Sequence, residues 1–464
     1  MIHELSRSAR PIFRWVLYAL LAVMLFPVQA GAQTLPEPNR DQLLNGLTIF
    51  FWQRPGDANV LVKLRINSGA VFDLSGKGGT MALLGDALFP DPATREYVTE
   101  QLGGRLDVVT THDAIDLAIS GKASEFERII ELLRGALVAT QLSRENVARV
   151  RDARLKQLSQ KTVTISDVAD QAIAVRLLGN FPYAHPASGT VETIARVDRG
   201  DLLLARERFL NADNAAVVVI GGVEKARAKR ALRQLLGPWN KADRTVPPTF
   251  RQPDMPDARV LVVNQPDATN AEIRVAVRGL ARSDRDDALV ASVLAKIVRD
   301  RWQATSSDLS SISVRHEAHA LPGIFVMAAS APAASVSKAV AAAQQVTKTL
   351  AQDGPTAAEL ERARSEVLTD MSRRMSQTEA IADAWLDMVT FKAASPDSLE
   401  SFVRRLTVLD VQRVAGRLFK DAPVATVVVG NSQQLKAALG AGVEVRKPVN
   451  ASSAADAATP VKKP

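Results

Sequence analysis

The side chains of this chain that could do chemistry begin with Asp86, which lies in the stretch GKGGTMALLGDALF at residues 76–89. A glycine turn there opens a short helix that carries this acid among small apolar residues. A carboxylate on a helix can bind a metal or act as a general base, but a tight metal site needs further ligands beside it. Taken alone, Asp86 is expected to be a solvent-exposed or capping carboxylate. The expected core residues of this segment are Leu83, Leu84, Leu88 and Phe89.

Histidine is the second residue type that could bind a metal, and four histidines follow the N-terminal segment. His316 and His319 stand three apart in RHEAH, but the context SISVRHEAHA is typical of a strand, where residues i and i+3 point to opposite faces. His112 lies in TTHDAIDLAIS and His185 in a Tyr-Ala-His-Pro turn. All four are expected to be surface or hydrogen-bonded histidines, and the sequence contains no Gly-x-Ser-x-Gly elbow or phosphate loop.

The length of the chain, 464 residues, is too great for one compact core and predicts two to four domains. Hydrophobic residues make up 47% and charged residues 23%, which is ordinary globular usage and excludes a disordered chain or a multi-span membrane protein. No cysteine is present, so disulfides, thiol nucleophiles and thiolate metal sites are excluded together.

The first residues have the pattern of a secretory signal peptide. Arg7, Arg10 and Arg14 precede an apolar run over residues 15–28, and Ala30-Gly31-Ala32 follows as a cleavage site. The run is shorter than the ~20 residues of a membrane-spanning helix. We therefore expect an exported, periplasmic protein that begins near Gln33 and has no integral membrane span.

Removal of residues 1–32 takes away three Lys/Arg and one Asp/Glu, so the net charge falls from +8 to +6. The remaining basic residues are spread over predicted helix faces without a dense block, and aromatic residues are only 5%. A protein that binds single-stranded nucleic acid needs a basic groove lined with aromatic side chains. Nucleic acid is therefore not an expected partner.

The elements that must position these residues occur twice in the same order. The strand-like DAIDLAISGKAS (113–124) and GIFVMAASAPAA (323–334) each run into two helices, and a further helix follows at 166–178 and at 378–389. Each half then closes on an aspartate-led helix that feeds a β-branched strand, and each opens on a strand pair. This duplication predicts an α+β fold of two related lobes, each a mainly antiparallel sheet covered by helices.

The phrases NGLTIFFWQRP, INSGAVFDLSGKGGTMALLGDALF and YAHPASGT, with the paired terminal strands, resemble the pitrilysin/insulinase family of zinc peptidases, which includes the mitochondrial processing peptidase. The resemblance covers about residues 43–432 and implies two homologous lobes that form a clam-like cleft. The predicted segments are a signal peptide (1–32), an N-terminal peptidase-like lobe (33–236), a Pro-rich linker (237–258), a C-terminal peptidase-like lobe (259–435) and a low-complexity tail (436–464).

In that family the helix after the glycine turn carries His-x-x-Glu-His, in which the two His bind Zn²⁺ and the Glu is the general base. The resemblance places Ala82 and Asp86 at the two His and Gly85 at the Glu. The family's third ligand is a Glu from a later helix, yet residues 146–191 contain no Glu, and the nearest acid is Asp152. We therefore expect no metal and no cofactor in this chain, with zinc only in a partner subunit.

Two further segments are implied to contact substrate. VRDRWQATSS matches a family Arg/Tyr pair at Arg299 and departs from it at Ser306, where the family has Tyr. GGRLDVVTTHDAIDL resembles the edge strand that receives the substrate as an added strand, and the substrate-binding residues implied there are Asp107, Val108 and Thr110. Thr110 and Asp113 match the family in this segment, whereas Asp107 and Val108 stand where Asn-Ala is usual. Each segment also has a purely structural interpretation. Arg299 would be a surface Arg in a salt bridge, and the strand would be an ordinary strand buried between the lobes.

Three functions follow from this pattern. The first is a non-catalytic subunit that pairs with a zinc-bearing homologue as a heterodimer, or as a homodimer, to form an exported peptidase. The second is a stand-alone protein that binds peptides or unfolded segments, as a chaperone does. The third is an enzyme with a rebuilt metal site made of Asp86, Asp152 and a His.

Overall fold

The computed structural model describes residues 38–242, 248–305 and 307–446. The predicted signal peptide, Ser306 and the tail after Arg446 lie outside these residues. The strands are β1 (Asn39–Gln42), β2 (Thr48–Gln53), β3 (Asn59–Ile66), β4 (Arg105–Thr110), β5 (Ile115–Lys122), β6 (Ala215–Gly221), β7 (Leu261–Asn264), β8 (Ala271–Arg278), β9 (Ser310–Glu317), β10 (Ile324–Ala331), β11 (Ala425–Gly430) and β12 (Glu444–Arg446).

Helices outnumber strands among the described residues. They are α1 (Thr80–Ala87), α2 (Ala93–Glu100), α3 (Phe126–Leu137), α4 (Arg144–Gln160), α5 (Ile165–Leu178), α6 (Val191–Ala195), α7 (Arg199–Phe209), α8 (Lys225–Leu236), α9 (Arg285–Thr305), α10 (Val336–Asp353), α11 (Ala357–Met375), α12 (Thr378–Thr390), α13 (Pro396–Arg405), α14 (Val408–Phe419) and α15 (Ser432–Leu439). None of them is long and apolar enough to cross a membrane.

The strands form two six-stranded sheets with matching orders. The first sheet runs β1-β2-β6-β3-β5-β4 and the second runs β12-β7-β11-β8-β10-β9. Most neighbours are antiparallel, and the parallel pairs are β2 with β6, β7 with β11 and β7 with β12. The predicted duplication and the α+β fold class are therefore confirmed.

Local sequence explains why equivalent elements form in both halves. The strands at the centre of each sheet, β6 and β11, are continuous apolar runs whose residues are all buried. The helices before them begin with capping boxes in which Asp198 pairs with Asp201 and Thr407 pairs with Asp410. Such a box satisfies the free N–H groups of the first helical turn and fixes where the helix starts.

The second sheet extends beyond residue 435, where the sequence analysis ended the C-terminal lobe. Strand β12 pairs in parallel with β7 from Glu444 to Arg446. The carboxylate of Glu444 also accepts a hydrogen bond from Arg176 at 2.8 Å. Residues up to Arg446 therefore belong to the folded lobe, and that predicted boundary is wrong.

The two lobes exchange a helix. Helix α5, from the first half, lies on the inner face of the second sheet, where Ala169, Ile173 and Leu177 join the apolar cluster of β7, β8, β10 and β11. Helix α12, from the second half, lies on the first sheet against β3 and β6, and its Trp385 packs on Phe50 and Trp52. The sheet surfaces covered by α5 and α12 are therefore not available to line a cleft between the lobes.

Candidate functional site

The glycine turn before α1 is held in place by a partly buried carboxylate. Asp73 accepts hydrogen bonds from the backbone N–H of Gly79 at 2.6 Å and of Met81 at 2.8 Å. Gly79 has φ +90, and a Cβ atom there would lie 2.4 Å from the side chain of Ile194. The turn therefore requires glycine for both its conformation and its packing.

Helix α1 follows this turn as the sequence predicted, and its apolar residues are buried. Leu83, Leu84, Leu88 and Phe89 are all at most 5% exposed, so their assignment to the core is confirmed. The helix packs against α4, α7 and β4. The structure thus keeps the framework of the helix that, in the family, carries the catalytic motif.

The expectation that Asp86 is a solvent-exposed or capping carboxylate is wrong. Its carboxylate oxygen Oδ2 accepts a hydrogen bond from Nε of Arg154 on α4 at 2.9 Å, and it forms an ion pair with Nη2 of the same guanidinium at 2.8 Å. The Nη2 group also lies 3.4 Å from the carbonyl oxygen of Ala82. Burial raises the pKa of the Asp86 carboxyl above its ordinary value, and the charge of Arg154 opposes that shift.

The position of the family's general base is closed by neighbouring side chains. A Cβ atom on Gly85 would lie 2.8 Å from Oγ1 of Thr110 and 3.4 Å from Cγ1 of Val108, both on β4. A contact below 3.0 Å requires a neighbouring group to move, so a side chain at position 85 would require the Thr110 side chain to shift. Glycine therefore suits the close packing of α1 on β4.

The residues at this site do not fit a zinc ion. Ala82 and Gly85 offer no ligand, and the one carboxylate, Asp86, already faces a guanidinium that stays positively charged at all ordinary pH values. No group of three or more His, Asp or Glu side chains within the described ranges is arranged to hold a metal ion. The rebuilt metal site that the sequence left open is therefore not proposed.

Strand β4, which carries three of the implied substrate-binding residues, is an edge strand of the first sheet. Among the described strands it pairs with β5 alone, from Arg105↔Ser120 to Thr110↔Ile115. Asp107 is exposed and forms an ion pair with Arg105 at 2.9 Å, whereas Val108 and Thr110 turn toward α1. Val109 lies on the opposite face of the strand and is 54% exposed.

Arg299, the other implied substrate contact, lies on α9 and is bound to carboxylates. Its guanidinium donates to both oxygens of Glu366 on α11 at 2.8 Å and to Asp300 at 2.7 Å. These bonds use four of the five N–H donors of the guanidinium, so at most one remains for a peptide carbonyl. Its role in substrate binding stays a prediction, and its expected companion Ser306 lies outside the described residues.

The side chains of His112, His316 and His319 form hydrogen bonds, His185 is exposed, and His112 and His319 meet where the lobes join. In a group that we call the junction cluster (His112, Asp113, Tyr183 and His319), Asp113 accepts from the Tyr183 hydroxyl at 2.7 Å and lies 3.2 Å from Nδ1 of His319. The other contacts are between His112 Nε2 and the His185 carbonyl oxygen, and between the Leu321 N–H and the Tyr183 hydroxyl. These bonds link the β4–β5 loop to the β9–β10 loop.

Sequence reasoning missed two residues that organise these sites, Asp73 and Arg154, and it noted Asp113 only as a match to the family's edge strand. Asp73 precedes the glycine turn by a few residues, which is a spacing that could have suggested a cap. Arg154 gave no signal, because its partner Asp86 is 68 residues away in the chain, and nothing in the sequence paired Asp113 with His319, which is 206 residues away.

The fold and this site define a class: a two-lobed homologue of the zinc peptidases, with Arg154 and Asp86 paired where the resemblance implies the metal. Residues 196–367 match the family model described as the Peptidase M16 inactive domain. A mitochondrial-processing peptidase β subunit from Lentinula edodes is 23% identical over 428 residues, covering 85% of this chain and 90% of that protein.

Solved structures show the same fold. A protease from Helicobacter pylori matches with a TM-score of 0.77 and 16% identity, covering 86% of this chain and 100% of that one. The first half of the periplasmic protease PqqL from Escherichia coli matches with a TM-score of 0.72 and 16% identity, covering 88% of this chain and 95% of that one. The resemblance is confirmed: the chain is a homologue of the pitrilysin/insulinase (M16) zinc peptidases with a degenerate zinc motif.

Proposed function

We propose that the protein is the non-catalytic subunit of an exported M16-type peptidase. In this proposal it pairs with a zinc-bearing homologue, which alone carries the metal, and contributes cleft surface and peptide binding. A homodimer is the other assembly that the proposal allows. The observation that carries it is the Arg154–Asp86 ion pair, which lies where the resemblance implies the metal, between the packed elements α1, α4 and β4.

The size of the matched proteins supports an assembly of two such chains. The chain spans 49% of intact PqqL and 95% of its first half. A protein equivalent to half of a peptidase needs a second half to enclose a substrate, and a zinc-bearing homologue supplies the missing chemistry. PqqL is a periplasmic protease, which agrees with the signal peptide that we propose for residues 1–32.

The test of pairing is size-exclusion chromatography with light scattering. The protein is co-expressed with a zinc-bearing homologue from the same genome, and each is also expressed alone. We expect a complex of one copy of each, with a mass close to the sum of the two. If the two proteins elute separately at micromolar concentration and the homologue is fully active alone, the proposal is wrong.

The open edge of β4 supports the peptide-binding part of the proposal. An extended peptide can add to an exposed sheet edge through backbone hydrogen bonds. It also favours the second candidate, a stand-alone peptide-binding protein, since such binding needs no partner. Isothermal titration of the protein alone with unstructured peptides separates the two, because saturable binding without a partner would favour the second.

A substitution on β4 tests whether this edge is the binding surface. Lysine on an edge strand opposes strand addition, so we expect Val109→Lys to weaken peptide binding by about tenfold or more. Val163→Lys is the matched control, because Val163 is 45% exposed on the loop before α5. Equal affinities of the two variants would contradict a role for β4.

A further inference from the structure

The packing of α4 on α1 depends on a charged contact. Within α4 the buried side chains are Val147 and Val150, both in its first half, while Leu155 and Leu158 are only partly buried against the core. In the second half of the helix, Arg154 reaches across to α1, and its side chain is only 15% exposed. The guanidinium therefore supplies the main polar link between the two helices at this level.

We propose that the Arg154 guanidinium replaces a metal ion as the cation that joins α1 to α4, and that it keeps Zn²⁺ out of this position. The guanidinium contacts both residues that the resemblance places at the family's two His, since it bonds to the Asp86 carboxylate and lies against the Ala82 carbonyl. Residues 82 and 86 lie one turn apart on the face of α1 that meets α4. Position 154 on α4 is thus the counterpart of a third ligand.

Charge explains why the guanidinium and a metal exclude one another. The contact joins one carboxylate to one fixed positive charge, which is a balanced pair. A divalent cation in the same place would lie beside the guanidinium and would be repelled by it at short range. Asp86 is the acid that remains at the former motif because it neutralises this arginine.

This inference concerns the same site as the proposed function but does not depend on a partner. Each measurement below uses the protein alone, so a failure here leaves the pairing experiment unaffected. Conversely, a failure to form a complex would not change the role of Arg154.

The first experiment measures thermal unfolding with and without a chelator or added Zn²⁺. We expect the melting temperature of the unmodified protein to be unchanged by either addition. Arg154→Ala leaves a half-buried carboxylate unpaired and should lower the melting temperature by roughly 5 °C or more. Arg149→Ala is the matched control on the same helix, where Arg149 forms an exposed pair with Glu145, and should change it by about 1 °C or less.

The pairing itself is tested by the Asp86→Ala variant and the double variant Asp86→Ala, Arg154→Ala. Because the two residues act as one unit, the double variant should be no less stable than the worse of the two single variants. The proposal is overturned if Arg154→Ala is as harmless as Arg149→Ala, or if chelation destabilises the unmodified protein.

The second experiment counts zinc in two purified variants after dialysis. The variant with Ala82→His and Asp86→His keeps Arg154 and should hold no stoichiometric zinc. Adding Arg154→Glu should yield about one zinc per chain. Equal zinc binding by the two variants would show that Arg154 does not exclude the metal. If neither variant binds zinc while both are folded, position 154 is not the counterpart of the third ligand. If the second variant does not fold even with zinc, the stability measurements alone decide.

Discussion

At the scale of single residues, substitution of Arg299 tests whether this chain binds a peptide. Arg299 and Arg301 both lie on α9 and each forms a two-point pair with a glutamate of α11, Glu366 and Glu359. Alanine at either position should cost about 1 kcal/mol of unfolding free energy, because both pairs are partly exposed. If Arg299 also binds substrate, only Arg299→Ala will weaken the binding of a labelled unstructured peptide to the complex, by about tenfold.

Arg301→Ala serves as the control in that experiment, since its contact with Glu359 is alike in geometry and exposure. Equal peptide affinities of the two variants would show that Arg299 acts in folding alone.

His316 predicts a pH dependence of stability. Burial lowers the pKa of His316 to about 4, and its Nε2 accepts a hydrogen bond from the Leu280 N–H, which requires the neutral ring. Because the unfolded chain binds a proton below its ordinary pKa of 6.5 and the folded chain does not, stability falls as the pH drops from 6.5 toward 4. This group alone should cost about 2 kcal/mol between pH 7 and pH 5.

Urea unfolding at pH 7 and pH 5 measures this effect. His316→Gln keeps an acceptor near the Leu280 N–H but cannot titrate, so its loss of stability over the same interval should be smaller by about that amount. The same pH dependence in both proteins would contradict this assignment.

The pair Asp86 and Arg154 shows what residue types alone reveal and what they do not. The motif positions Ala82, Gly85 and Asp86 are enough to show that the zinc motif is degenerate, because Ala82 and Gly85 carry neither a ligand nor a base and Asp86 alone does not make a tight metal site. The exposure expected for Asp86 is wrong because its partner Arg154 lies on another helix, and nothing local in the sequence pairs the two. Ion pairs between distant segments are set by packing, which one sequence does not reveal.

At the scale of elements, the repeated order of strands and helices was readable from the sequence, but the exchange of helices was not. The segments at 166–178 and 378–389 were predicted as equivalent helices, and they are α5 and α12. Each of them lies on the sheet of the other lobe. Periodicity shows that a helix has an apolar face, yet it does not show which sheet covers that face.

A buried arginine in each sheet binds the incoming helix in the same way. On β3, Arg65 donates to Asp387 of α12 at 2.6 Å and to Asp383 at 3.1 Å. On the equivalent strand β8, Arg274 donates to Asp170 of α5 at 2.6 Å. Both guanidinium groups are almost fully buried, so the acids of the exchanged helices compensate charges that would otherwise be costly.

Asp387→Ala tests the contribution of this contact. The substitution removes an acceptor that Arg65 and Arg282 share, and it leaves the Arg65 side chain, 8% exposed, with less compensation. The free energy of unfolding in urea should fall by about 2–3 kcal/mol. The control is Glu400→Ala on α13, which breaks an exposed pair with Arg404 and should cost less than about 0.5 kcal/mol. Similar losses for both would rule out a special role for the exchanged helix.

At the scale of the whole molecule, the junction cluster connects the two lobes through a buried carboxylate. Burial disfavours the charged form of Asp113, but hydrogen bonds from His319 and Tyr183 hold its pKa below the ordinary value. Groups from both lobes therefore stabilise the negative charge of the Asp113 carboxylate. Separation of the lobes would leave that carboxylate without the donors of the second lobe, His319 and the Ala320 N–H.

Asp113→Asn should loosen this junction. An amide cannot accept at both oxygen positions, so we expect faster hydrogen exchange at the N–H groups of Ala320 and Leu321 and a melting temperature lower by several degrees. Asp152→Asn on the exposed side of α4 is the control and should leave both unchanged. If exchange at Ala320 and Leu321 does not respond, the junction does not depend on Asp113.

The sequence was sufficient for the class of fold and for the degenerate motif, because both rest on residue types and on the order of elements. It did not show how the lobes are joined, because the junction cluster and the exchanged helices depend on contacts between residues 70 or more positions apart. The end of the second lobe was also misplaced, since β12 is a short polar strand whose pairing with β7 has no local signature.

The measurement that tests the central claim most directly is peptidase activity together with bound zinc, in the protein alone, in its zinc-bearing homologue alone and in their mixture. We predict activity that is highest in the mixture, with zinc in the homologue and none in this chain. Zinc-dependent cleavage by this protein alone would contradict the account, because Ala82 and Gly85 offer neither a ligand nor a base and Asp86 is paired with Arg154.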